Sequence, residues 1–188
     1  RLKSYALVTV SYGESGELAD FPVAITFPRS TGLPKSAKTL RILDADGHSL
    51  AYEVETWNPS GTSLLWVKVP DFGPGCHITL LWSDAGTGAD IPAYGTAKDV
   101  WSDYVGVWHL DESSGDAVDS TGHGLSAVPT GARKDEAVGI SAGAVGGART
   151  LVNTASGNNA YLLVPNDAAF VPDASVFTIS GFFKRNGS

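Results

Sequence analysis

The fold is decided by residues 39–82, TLRILDADGHSLAYEVETWNPSGTSLLWVKVPDFGPGCHITLLW. Three turn clusters divide this stretch: Asp44-Ala45-Asp46-Gly47, Asn58-Pro59-Ser60-Gly61 and Asp71-Phe72-Gly73-Pro74-Gly75. Between them lie Thr39 to Leu43, Ser49 to Trp57, Ser63 to Val69 and Cys76 to Trp82, each rich in alternating β-branched, aromatic or aliphatic residues. Side chains alternate across a strand with a period of two, so such runs suit sheets with one buried face. An Asp-Gly turn between two alternating runs is a hairpin signal. The pattern therefore predicts four consecutive strands in an antiparallel meander.

Working outward, Tyr5 to Val10 and Phe21 to Phe27 read as two earlier strands, the second with Pro22 near its start, where a missing N–H is tolerated. Residues 83–103 hold Gly, Pro and Asp with little alternation and read as a linker, which places a domain boundary near residue 95. Beyond it, Tyr104 to Leu110, Ala148 to Val152, Ala160 to Val164 and Val176 to Phe183 are strand candidates separated by long loops. In the last, Phe177, Ile179 and Gly181 share one face and Thr178, Ser180 and Phe182 the other. No window keeps a 3.6-residue period over ten or more residues, so the chain reads as all-β.

The composition agrees. Twenty-two glycines and ten prolines in 188 residues supply the turns, and 43% hydrophobic residues supply a core. Thirteen Lys and Arg against 20 Asp and Glu give a net charge of −7. No basic run exceeds two residues, which speaks against nucleic acid as a main partner. No apolar run is long enough to span a bilayer. A single cysteine forms no internal disulfide. The chain opens on Arg1 and contains no Met, so the natural start is expected upstream.

Some side chains could carry chemistry. Glu53 and Glu55 stand two apart on a strand, on one face, with Cα atoms about 7 Å apart. Paired carboxylates can hydrolyse glycosides; the plainer reading is a solvent-facing stripe, with Tyr52, Val54 and Thr56 turned inward. Among five tryptophans, Trp57 follows the Glu53/Glu55 face and Trp66 shares a face with Lys68, so both could stack on sugar rings. Trp82 and Trp108 read as core, and Trp101 as packing between domains. The four histidines show no metal-ligand spacing. His109, beside Asp111 and Glu112, reads as a structural residue at a strand end rather than an acid–base group. Cys76 reads as a buried free thiol. Asp119 opens Asp-Ser-Thr-Gly, a sequence suited to an Asx turn.

Residues 3–95 resemble a bacterial domain family of unknown function. The resemblance rests on Phe21-Pro22, Asp46-Gly47, Tyr52-Glu53-Val54-Glu55-Thr56-Trp57, Trp66-Val67-Lys68-Val69-Pro70 and Leu80-Leu81-Trp82. The second half resembles the start of a laminin-G-like, concanavalin A-like domain, through Val107 to Glu112, Val118 to Gly124, Gly143 to Ala148 and Phe177 to Phe183. In that family a Trp often stands where Phe182 or Phe183 stands here.

Together the resemblances imply an antiparallel β-sandwich over residues 1–95, then an incomplete concanavalin A-like jelly roll over 96–188. Its remaining strands are expected outside this chain. They imply a secreted, periplasmic or cell-surface protein of a bacterium. The function implied is non-catalytic: binding a glycan or cell-surface polysaccharide through Trp57, Trp66, Glu53 and Glu55. A structural Ca²⁺ on Asp119 is implied by the second family. Two alternatives stand beside this reading. One is a structural or interaction domain of an envelope assembly, proton-channel-associated or in a surface layer, that pairs its β edges with other chains. The other is a glycoside hydrolase with Glu53 and Glu55 as its only candidates.

Overall fold

A computed structural model describes residues 4–9, 16–28, 33–82, 95–140, 143–154, 156–170 and 177–185. The linker read at 83–94 lies outside these residues, as does Val176. The chain divides into two compact units, Arg1–Asp103 and Tyr104–Ser188. Residues 96–103, expected beyond a boundary near 95, thus belong to the first unit.

The first unit holds six strands: β1 (Ser4–Thr9), β2 (Leu18–Phe27), β3 (Leu40–Leu43), β4 (Tyr52–Thr56), β5 (Ser63–Phe72) and β6 (His77–Trp82). A short helix α1 (Ala97–Val100) follows. The strands form two antiparallel three-stranded sheets, ordered β1-β6-β3 and β2-β5-β4. The alternation read in the sequence is visible along β5, where Ser63, Leu65, Val67 and Val69 are buried and the residues between them are half-buried. Leu40, Ile42, Ile78 and Leu80 of one sheet and Val23, Ile25, Leu65 and Val67 of the other belong to one continuous core. Two sheets on a shared core fit a β-sandwich.

The strands are as read, but their pairing is not the meander expected. β3 pairs with β6 rather than β4, and β5 with β2 and β4 rather than β6. The Asp44–Gly47 turn does form. Asp44 Oδ1 accepts from the amides of Asp46 at 3.0 Å and His48 at 2.8 Å, and Gly47 has φ +87, a conformation natural to glycine. Only the first rungs close, with Leu43 bridging Ser49 and the Leu50 amide donating to Ile42 O. Leu50 then enters the core and the chain crosses to the other sheet. The Gly73–Cys76 turn makes the second crossing, with Gly75 at φ +81. A flat four-stranded ribbon would leave its apolar face in water. Crossing twice lets two such faces bury one another.

The second unit has β7 (Val128–Thr130), β8 (Gly139–Ile140), β9 (Ala148–Arg149) and β10 (Tyr161–Leu163). They form two antiparallel ribbons, β10-β7 and β8-β9, and no larger sheet among the described residues. Residues 104–110 and 177–183, read as strands, join no ladder there. Those at 148–152 and 160–164 shorten to β9 and β10. The reason is the core. Among the described residues its buried apolar side chains are Ala117, Ala127, Ala137 and Ala160, with Leu125 the larger one. Among the described residues no helix is long and apolar enough to cross a membrane.

Candidate functional site

Glu53 stands directly opposite Trp66 in the β4–β5 ladder. Both lie on the face of the sheet turned away from the core, since their neighbours Tyr52 and Val67 point inward and are buried. A register shift follows: Val54 faces Leu65, yet Thr56 faces Leu64, so Glu55 is the extra residue of a β-bulge. The bulge lets Glu55 stay near Trp66, whose indole Nε1 donates to Glu55 Oε2 at 3.0 Å. It also shifts the alternation by one. Thr56 is exposed rather than inward, as is Val54 just before the bulge, and Trp57 packs against the core with its Nε1 donating to Pro34 O at 3.2 Å. The expectation that Trp57 shares the outer face of Glu53 and Glu55 is corrected by this single inserted residue.

The outer face is covered by the segment around α1. Gly95, at φ +74, brings the chain close to Ala51: a Cβ there would lie 2.7 Å from the Ala51 Cβ. Asp99 Oδ2 accepts from the Thr96 amide at 2.6 Å and the Thr96 hydroxyl at 2.9 Å, which fixes the first turn. Trp101 then lies buried over the strands. Its Nε1 donates to Glu53 Oε2 at 2.6 Å. Its ring meets Trp66 edge-to-face, with centroids 5.1 Å apart and planes at 63°. Lys68 Nζ reaches Ser102 Oγ and Asp103 Oδ2, both at 2.7 Å.

Three of the four residues read as carbohydrate contacts, Glu53, Glu55 and Trp66, are thus brought together, and Trp57 is not. The residue missed is Trp101, read as linker packing. The signal for it was the Thr96-x-x-Asp99 capping pattern just before Val100-Trp101. The assembled group is a clasp. Each carboxylate accepts an indole N–H, a bond that holds geometry. A glycosidase pair must instead present an acid and a base or nucleophile to a sugar ring.

In the second unit, Asp119 is buried. Its Oδ1 accepts from the amides of Thr121 at 3.0 Å and Val107 at 3.3 Å, and its Oδ2 from the Leu125 amide at 3.2 Å. The Thr121 hydroxyl lies 2.8 Å from both oxygens. Burial alone would raise the Asp119 pKa, but these donors outweigh it and hold the carboxyl below its ordinary value. The donors are arranged as the Asx-type turn requires. They do not fit a calcium site: N–H groups fill the positions a cation would need. Among the described residues no group of three or more His, Cys, Asp or Glu is placed to hold a metal ion.

Glu112 is also a structural ion. Its Oε2 accepts from Arg149 Nη2 at 3.0 Å and its Oε1 from the Val118 amide at 2.6 Å. The Arg149 side chain is fully buried and donates further to the carbonyl of Ala137. Burial would raise the Glu112 pKa; the Val118 amide and the guanidinium lower it overall. Cys76 is half-buried against the first unit's core, and burial, together with the Asp71 charge, pushes its thiol up, away from reactivity.

A scan of family models, a search of curated proteins and a search of solved structures each gave no match to this chain.

Proposed function

We propose that this chain is a non-catalytic interaction module, exported as its sequence resemblance implies, that works by packing against protein rather than by turning over a substrate. The observation that supports this is the surface of the second unit. Leu151, Leu163, Phe177, Ile179, Phe182 and Phe183 are exposed there, while its core is built largely of alanine. Large apolar side chains left in water are candidates for interaction surfaces. Sugar binding is the weaker reading, because Trp66 lies under Trp101, Glu53 and Glu55 hold indoles, and Trp57 faces the core. Calorimetry with a panel of soluble cell-wall polysaccharides tests the choice. No saturable heat is expected. Saturable binding lost in Trp66→Ala would return the function to carbohydrate recognition.

A further inference from the structure

Asp46-Gly47 is the one Asp-Gly pair in the chain. It stands at the tip of the turn between β3 and β4, where residues 45–48 are exposed. Asp44 supplies the side-chain bonds of this turn. Its Oδ1 accepts from the amides of Asp46 at 3.0 Å and His48 at 2.8 Å, and its Oδ2 lies 3.1 Å from His48 Nδ1. None of these bonds uses the Asp46 carboxyl. The Gly47 amide donates to Asp44 O at 3.3 Å, longer than a usual N–H···O bond. Glycine has no side chain to shield its own nitrogen, and a Cβ on Gly47 would meet nothing within 4 Å.

We propose that Asp46 is a modification site, at which the folded chain converts aspartate to isoaspartate. The Gly47 nitrogen attacks Cγ of the protonated Asp46 carboxyl. An N–Cγ bond forms, and the amide proton leaves with the carboxyl OH as water, closing a five-membered succinimide. Water then adds at the Asp46 backbone carbonyl and breaks the bond from that carbon to the Gly47 nitrogen. The main chain now runs through Cβ and Cγ, and the old carbonyl carbon becomes a free carboxylate. One water leaves and one returns, so mass and charge are unchanged and no co-reactant is needed. Asp44 restrains the reaction without taking part in it. Its Oδ1 ties the amides of Asp46 and His48, on either side of Gly47, and the Gly47 amide must leave Asp44 O before it can turn toward Cγ. The extra backbone carbon falls just before Ser49 bridges Leu43 and Leu50 enters the core. Conversion therefore loosens the crossing from one sheet to the other.

Prolonged incubation of the 188-residue chain in mildly acidic buffer, then trypsin and mass spectrometry, tests this. Cleavage after Arg41 and Lys68 frees the peptide Ile42–Lys68. It is expected to split into two forms of equal mass and different retention, the new one methylated by an isoaspartyl methyltransferase. Asp46→Glu, at an exposed site, should abolish the new form, because its ring would need six members and closes far more slowly. Asp44→Ala should speed conversion in the folded chain and leave the rate unchanged in urea, where no turn restrains either protein. A single form of the peptide after long incubation overturns the site, as does a methylated form that persists in Asp46→Glu. Equal rates for the folded wild type and Asp44→Ala overturn the restraint. The separated isoaspartyl chain should unfold at a lower urea midpoint; an unchanged midpoint overturns the loosening.

Discussion

At the scale of single residues, two carboxylate networks hold the second unit. Asp119 and Glu112 both have folded-state pKa values below their ordinary ones. A depressed carboxylate contributes stability that is complete above its unfolded pKa, about 4. That contribution is lost as the pH falls through the lower folded value. Acid should therefore loosen the second unit below about pH 4. Asp119→Asn should cost about 1–3 kcal/mol at neutral pH, because an amide cannot accept at both positions, and should flatten the acid limb of the unfolding curve. Denaturant melts followed against pH would check both. In the first unit, Trp101→Ala should cost about 3 kcal/mol, in the range for truncating buried aromatics. Glu53→Gln keeps the acceptor but loses its charge, and should cost about 1 kcal/mol. Urea unfolding of the two variants compares them directly. A larger loss for Glu53→Gln than for Trp101→Ala would contradict the clasp.

At the scale of elements, one residue reorganises the β4 strand. The Tyr52 to Trp57 run reads as a simple alternation, and by that pattern Glu53, Glu55 and Trp57 share a face. The bulge at Glu55 breaks the period, and Trp57 moves to the core side. Nothing in the local sequence marks the bulge, because it answers to β5 across the ladder. Deleting Glu55 should close the bulge with Thr56 still opposite Leu64 and Trp57 still on the core side. The expected result is a lower urea midpoint, from loss of the Glu55 acceptor for the Trp66 indole, with tryptophan emission little shifted. The strap at 95–103 is a second case. It reads as linker because α1 is too short to show a helical period, yet it covers the outer face of β4 and β5. A chain ending at residue 95 should unfold at a lower urea midpoint than one ending at 103; equal midpoints would show that the strap adds nothing.

At the scale of the whole molecule, the two units differ in how they are held together. The first packs Leu, Ile and Val from two sheets into one core, with Leu40, Ile42, Leu65, Val67 and Leu80 fully buried. The second relies on turns, on the Asp119 and Glu112 networks and on small residues. Local opening is easiest where few apolar contacts are buried. Hydrogen exchange should therefore protect β5 and β6 most strongly, with β7 to β10 exchanging well before them. Equal protection in both units would contradict this picture.

The sequence by itself determined the secondary structure of the first unit. Alternation over residues 39–82 and the turn chemistry of Asp46-Gly47 and Gly73–Gly75 are local properties, and local physics suffices to form strands and reverse the chain. It also placed Glu53 on the outer face of its strand. Only the tertiary structure decided which strands pair, because two apolar faces gain more by burying each other than by lying side by side in one sheet. It alone placed Trp101 on Glu53, a contact between residues distant in the chain. It also left Phe177–Phe183 exposed: the sequence shows a strand, but whether that strand finds a neighbour depends on every other element of the fold.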